Sequence, residues 1–442
     1  MRARLPTLIF AAGLLVWIIN AAIVWLAASP LGHDEAQYVL SAKDVLAGEP
    51  ARWFYASSGM SIVALPGAIG SGEIAARFPT FVLGIAFVLA AAGLAWRVSG
   101  AMTAAWVVAV LAGLRSVMLM SADLLSDLPA TAFLLGGTLV MVTEVIQRSP
   151  EHPLRWRVVV AAPLLACALY LRYASCVPIA ILGVATVVIG WRAIARRPLP
   201  ILATAGLFVV LLVPHLRTAY AETGSPLGIL LASKDVPGKT WFAQGLATYV
   251  TSNPIHYYGL LAAPVFLAGL AAIVRFKDRA TLFLWTVAVA DIAVLGVVSH
   301  AQARYIFFGI ALLVILGVET IRILIGERRV IAIGCALAVV TAWVLVATGQ
   351  VKRSAHRWET TAATRAAASA ISDDAADRAC QVVGDAFAQL EHYSRCTSSS
   401  WPWQTQDRIY VVRTPTSAPV ETHGTPHVLL DRPDVSVTRY DP

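Results

Sequence analysis

About eleven times along its 442 residues the chain turns apolar for long enough, or nearly so, to cross a lipid bilayer. A helix rises about 1.5 Å per residue, so about 20 apolar residues match about 30 Å of hydrocarbon. Backbone groups in lipid must pair within their own segment, which leaves helices as the form such runs take. They lie at Leu5 to Ala28, Phe78 to Trp96, Ala101 to Met120, Leu125 to Ile146, Trp156 to Leu171, Ala174 to Trp191, Leu199 to Leu216, Tyr257 to Val274, Thr281 to Ser299, Tyr305 to Ile325 and Val330 to Thr348. The expectation is an α-helical polytopic membrane protein of about 11 spans. Charged residues are 14% of the chain and hydrophobic ones 58%, whereas a soluble domain is about a quarter charged. The first run is too long, and too poor a cleavage-site match, for a removed signal peptide.

Positive charge sets the orientation. With Arg2 and Arg4 in the cytoplasm, the loops falling on that side carry Arg97; Arg148, Arg155 and Arg157; Arg192, Arg196 and Arg197; Arg275, Lys277 and Arg279; and Arg322, Arg328 and Arg329. Every one is basic, as the positive-inside rule requires. The net charge of +8 is therefore distributed over loops rather than gathered on a nucleic-acid-binding face. Three regions then lie outside: a first loop over 29–77, a second over 217–256, and a tail over 351–442 following a membrane domain of 1–350. The tail opens with an Ala-rich helical stretch from Thr360 to Ile371. It continues with β-like runs at Gln381 to Val383, Arg408 to Val412 and His427 to Leu430, so it reads as a small extracytoplasmic α/β cap.

Cys380 and Cys396 lie in that cap and are either a disulfide or two free thiols; Cys167, Cys176 and Cys335 read as small core residues of spans. Neither asparagine, Asn20 or Asn253, begins a glycosylation acceptor. The Ala- and Arg-rich composition suggests a GC-rich prokaryotic genome, hence a prokaryotic inner membrane.

Just after the first span stands Gly32-His33-Asp34-Glu35-Ala36-Gln37. An acidic pair at the membrane surface can supply a general base, since a low-dielectric boundary raises carboxylate pKa values. The alternative is structural: Asp34 as an N-cap with Gln37 at N3, heading an amphipathic helix that turns Val39, Ala42, Val45 and Leu46 toward the bilayer.

This pair also resembles the signature of the GT-C glycosyltransferases of the protein O-mannosyltransferase and aminoarabinose-transferase superfamily, the glycosyltransferase family 39 type. Further segments are similar in order: Ala76-Arg77-Phe78-Pro79, Ser126-Asp127-Leu128-Pro129, Leu169-Tyr170-Leu171-Arg172-Tyr173 (Leu171 standing where that family has Thr), Pro214-His215-Leu216-Arg217 with Glu222-Thr223-Gly224-Ser225-Pro226, and Ala303-Arg304-Tyr305. Each is short, and their order over roughly the first 330 residues makes the likeness specific; the tail lies outside it.

The resemblance implies transfer of a hexose or pentose from a polyprenyl-phosphate donor, with inversion, to a hydroxyl or amine on a protein, lipid or glycan acceptor. It implies Asp34 as base, with Glu35 and Asp127 beside it. Arg217, Arg304 and Arg77 are candidates for the donor phosphate, since guanidinium matches phosphate bidentately and fixed cations act where charge develops; each also reads as a snorkelling interfacial arginine. Asp127 also reads as an orienting or helix-capping residue, with Asp123 a weaker version of it. His256 falls where some members of that family hold a metal, so a divalent metal is the one candidate cofactor, with Glu49 as the candidate second ligand; the alternative is a lone structural histidine. No obvious lysine stands late in the first loop where aminoarabinose transferases carry one, a departure that puts their substrate specificity in doubt for this chain. Asp291, mid-span, is either a coupling residue of a transporter or flippase, or a partner of an arginine such as Arg115. Transporters commonly show two corresponding halves, and no such symmetry is present. A non-catalytic envelope assembly protein, with the cap as its working part, is the third reading.

Overall fold

The computed structural model describes residues 4–49, 58–70, 72–149, 151–229, 245–251, 257–275, 278–297, 302–326, 328–376, 378, 380–384, 386–398, 408–415 and 425–441. Among them eight helices are long and apolar enough to span a membrane. They are α1 (Leu5–Leu26), α5 (Glu73–Ser99), α8 (Asp127–Met141, continued by a π turn over Val142–Ile146), α10 (Cys176–Arg196), α11 (Leu199–Thr223), α14 (Arg279–Gly296), α15 (Phe307–Ile325) and α16 (Arg329–Ala375). Three shorter apolar helices, α6 (Ala101–Leu111), Trp156–Leu171 (ending in α9, Ala161–Leu171) and α13 (Ala262–Arg275), coincide with expected spans but lack their length. The chain is an integral membrane protein, and the expected eleven is met by length in eight places.

The expected third span is broken. After Leu111 the helix stops, and α7 (Arg115–Leu119) starts afresh because the Arg115 amide donates to the Tyr258 carbonyl at 2.9 Å rather than up its own helix. The last span, expected to end at Thr348, runs unbroken to Ala375: the Ala-rich stretch foreseen from Thr360 continues it without a Pro.

Packing uses small residues, as expected where lipid offers no hydrophobic drive between helices. A Cβ on Gly269 of α13 would lie 2.5 Å from the Leu313 carbonyl oxygen of α15, and one on Gly317 of α15 would run into that of Val265. These two glycines let the pair touch backbone to backbone. Helices α8 and α15 are the most enclosed, while α11 and α16 turn Leu202, Val210, Leu337 and Val344 outward as a lipid-facing surface. Cys167 is exposed and Cys176 and Cys335 are half-buried, so the span cysteines are not core residues.

The first loop folds back on the bundle through α2 (His33–Leu46), α3 (Ser58–Val63) and α4 (Leu65–Ile69). In α2 the N-cap is Gly32, not Asp34, and Glu35 holds the N3 place, its Oε2 accepting from the Gly32 amide at 2.7 Å. Val39, Leu40 and Ala42 are buried against protein, whereas Val45 and Leu46 are exposed. The apolar face expected to rest on lipid is thus largely covered by the chain itself.

The tail forms a five-stranded sheet of order β2-β1-β3-β5-β4, from β1 (Cys380–Val383), β2 (Thr397–Ser398), β3 (Arg408–Arg413), β4 (Thr425–Asp431) and β5 (Ser436–Asp441). Strand β1 is parallel to β2 and β3, while β5 runs antiparallel between β3 and β4. Ala367, Ala368 and Ile371 at the far end of α16 pack into a core with Val382, Tyr410 and Val437. Helix α17 (Phe387–Ser394) lies between β1 and β2, bracketed by a disulfide joining Cys380 to Cys396.

Candidate active site

Segments far apart in sequence bring acidic and basic side chains together where α2, α5, α8 and α9 begin or end. The helical periodicity of about 100° per residue sends neighbouring Asp34 and Glu35 to different surroundings. Asp34 keeps 44% of its side-chain exposure and Glu35 keeps 2%.

Asp34 faces Arg304, which lies in a 3-10 turn heading α15; Nη1 and Nη2 of Arg304 both donate to Asp34 Oδ2 at 3.3 Å. The same guanidinium stands 4.0 Å from Asp127 Oδ2 at the start of α8, and its Nε donates to Gln302 Oε1 at 2.7 Å. Asp127 is ion-paired with Arg172 from the end of α9. Both guanidiniums lean on one ring: Arg172 stands 4.7 Å and Arg304 5.9 Å from the Tyr305 centroid. Charge-assisted hydrogen bonds usually close to about 2.7–2.9 Å, so Arg304 holds Asp34 loosely.

The neighbouring cluster is locked. Arg77 is fully buried and donates from Nε to Glu35 Oε1 at 2.8 Å, and from Nη2 to Glu35 Oε2 at 2.8 Å and Pro30 O at 3.1 Å. Its Nη1 donates to Ser29 O at 2.6 Å and Ser29 Oγ at 3.4 Å. All five of its N–H groups are engaged, which leaves none for a donor phosphate. Glu35 also accepts from the Leu124 amide at 2.9 Å. Burial alone would push its carboxyl up; Arg77, Arg357 and the Gly32 amide outweigh burial and hold it well below the usual carboxylate range. Arg353 and Arg357, one turn apart on α16, grip fully buried Asp123 at 2.6 and 3.0 Å, and Arg357 reaches Glu35 at 3.6 Å. Glu35 and Arg77, expected as a catalytic acid and a phosphate ligand, therefore form a clamp that fixes the first loop to α5 and to the approach to α8.

Arg217, expected at this site, is exposed on α11 and forms no ion pair with these carboxylates among the described residues. His256 lies outside the described residues, and Glu49 is exposed. Among the described residues no three His, Cys, Asp or Glu side chains converge as a metal cage. Asp291 is fully buried, its Oδ2 accepting from the Gly309 amide at 3.1 Å, and no ion pair joins it to Arg115 among the described residues.

Arg172 enters the site although the sequence offered it only as part of a turn motif. Asp123 is fully engaged where only a weaker capping role was foreseen. Arg353 and Arg357 were missed. Their signal was the four-residue spacing, which places both on one helix face, but it points inward only once α16 is known to continue past the membrane.

No family model matches the sequence, and no curated protein does. Solved structures do match. The fold is that of the GT-C glycosyltransferases. The likeness is to ArnT, the aminoarabinose transferase, from Cupriavidus metallidurans bound to undecaprenyl phosphate, at TM-score 0.71 and 15% identity over 98% of this chain and 97% of that one. The apo state of the same protein gives TM-score 0.69 at 14% identity. The oligosaccharyltransferase of Archaeoglobus fulgidus, in complex with Zn and sulfate, gives TM-score 0.56 at 13% identity over 87% of this chain and 62% of that one.

Proposed function

We propose that this protein transfers a sugar from a polyprenyl-phosphate donor to an acceptor hydroxyl or amine on the extracytoplasmic face of a prokaryotic inner membrane. The observation that carries the reading is the half-exposed Asp34 held loosely by Arg304 beside Asp127 and Arg172. The solved relatives are described as bound to undecaprenyl phosphate and, for the archaeal enzyme, in complex with an inhibitory peptide and a dolichol-phosphate. The phosphate groups of those ligands fit a loosely held, partly exposed arginine.

In the proposed step Asp34 accepts the acceptor's proton as its oxygen or nitrogen attacks the anomeric carbon. The bond from that carbon to the phosphate oxygen breaks with inversion, and polyprenyl phosphate leaves with the electron pair. Positioned general bases contribute about 10²–10⁴-fold. Arg304, supported by Arg172 and Tyr305, meets the charge growing on the phosphate, with Arg217 as a second cation from α11. Asp127 holds the two arginines, and Glu35 with Arg77 holds the loop. The positive-inside pattern supports a cytoplasmic N-terminus, and the cap of 351–442 on the site's side of the 1–350 membrane domain. His256 remains the candidate ligand for a divalent metal.

The test is a donor panel. Purified protein in nanodiscs receives radiolabelled undecaprenyl- and dolichyl-phosphate sugars with crude envelope acceptors. Transfer of label, with inverted anomeric configuration in the product, is expected. Label that no donor yields, alongside substrate uptake into proteoliposomes that depends on Asp291, would contradict the reading.

A further inference from the structure

Helix α17 of the cap touches the chain three residues before the proposed base. Both backbone groups of Leu31 are held by its side chains: the Leu31 amide donates to Tyr393 Oη at 2.9 Å, and Gln389 Nε2 donates to the Leu31 carbonyl at 2.7 Å. The Tyr393 hydroxyl in turn donates to Glu73 Oε1, 3.1 Å away in the first turn of α5. The Phe387 ring meets His33 edge-on with centroids 4.7 Å apart. Ala388, fully buried, packs in one apolar cluster with Leu31, Ala36 and Val39. A helix whose N-terminus is grasped at the peptide before its cap cannot turn or slide freely, and Asp34 lies in the first turn of that helix.

Leu31 offers no side-chain chemistry, and its two hydrogen bonds come from a part of the chain more than 350 residues away. Glu35 fixes the rotation of α2 through Arg77; α17 fixes where the helix begins. The disulfide closes the segment that carries α17, so the holding residues are themselves anchored to β1.

We infer that Gln389 and Tyr393 are positioning residues: the cap is part of the active site, setting the reach of Asp34 toward Arg304 by holding Leu31. This rests on the reading of Asp34 as the base. Misplacement of a reacting group by about 1 Å costs up to about 100-fold in rate, so the effect belongs on turnover rather than on donor binding.

Two readouts test it in the full-length protein in nanodiscs. The first needs no substrate. In a background with Cys167, Cys176 and Cys335 replaced by Ala, an Asp34→Cys/Arg304→Cys pair is cross-linked with a short bifunctional thiosulfonate. Adding Gln389→Met and Tyr393→Phe, singly and together, is expected to lower the yield by about threefold or more as the two sites separate. The second is transfer kinetics, with Asp34 and Arg304 intact. The same substitutions are expected to lower kcat about 10- to 100-fold while KM for the donor, the dissociation constant for undecaprenyl phosphate and Tm stay put. Unchanged cross-linking and unchanged kcat would overturn the inference, as would a loss of kcat that only tracks Tm. If the unsubstituted protein transfers no sugar, the functional reading fails instead, and the cross-linking alone decides whether α17 positions residue 34. If the double variant does not fold, the two single variants carry the test.

Discussion

At the scale of single residues, the adjacent acids Asp34 and Glu35 divide two tasks. Among the described residues Asp34 has one loose ion-pair partner, and Glu35 is buried and bound on both oxygens. Removing one member of a buried ion pair leaves an uncompensated charge and costs about 3–5 kcal/mol. Glu35→Gln, which strands Arg77, should therefore lower stability by about that amount in a denaturation series in detergent. Its pH sign follows from the depressed carboxyl. The contribution is full above the unfolded value near 4.5 and is lost as pH falls toward the lower folded value, so Glu35→Gln should flatten the acid limb of Tm below pH 4.5. Arg304→Lys keeps a charge but loses the planar fork. It should reduce transfer about 10²-fold with Tm unchanged, read from initial rates beside a thermal melt.

At the scale of elements, legibility followed the range of the cause. Long apolar helices could be read because hydropathy is local, and β1, β3 and β4 because alternation is local. The break before Arg115 could not, since it depends on a carbonyl at Tyr258, and neither could the passage of α16 through the expected boundary at 350. In the site, Asp34, Asp127 and Arg304 were legible through short motifs, whereas Gln389, Tyr393, Arg353 and Arg357 act across more than 200 residues and leave no local pattern. The cap helix also carries a pH response. Burial, and then Lys43, push His392 down to about 4, and burial lowers His33 against the opposing pull of Asp34. A histidine kept neutral by folding leaves stability whole above about pH 6.5; stability declines as pH falls from there through the folded value, by at most about 1.4 kcal/mol per pH unit for each. His392→Gln should remove part of that slope, seen as hydrogen exchange of the α17 amides at pH 7 and pH 5. The disulfide closes a loop of sequence separation 16, worth about 3 kcal/mol on chain-entropy grounds, so a Cys380→Ala/Cys396→Ala variant should lose cap protection against proteolysis.

At the scale of the whole molecule, a bundle whose outer helices face lipid brings five arginines and four carboxylates together, namely Arg77, Arg172, Arg304, Arg353 and Arg357 with Asp34, Glu35, Asp123 and Asp127. Among these nine the arginines exceed the carboxylates by one, and on the proposed function an incoming phosphate would supply the complement. The cap contributes to this network and to the hold on Leu31, so removal of 351–442 should abolish transfer rather than merely alter acceptor choice. The most direct measurement is the initial rate of transfer by Asp34→Asn in nanodiscs, taken together with its affinity for undecaprenyl phosphate. A fall of about 10²–10⁴-fold in rate at unchanged affinity is predicted. Transfer at the unsubstituted rate would contradict the account.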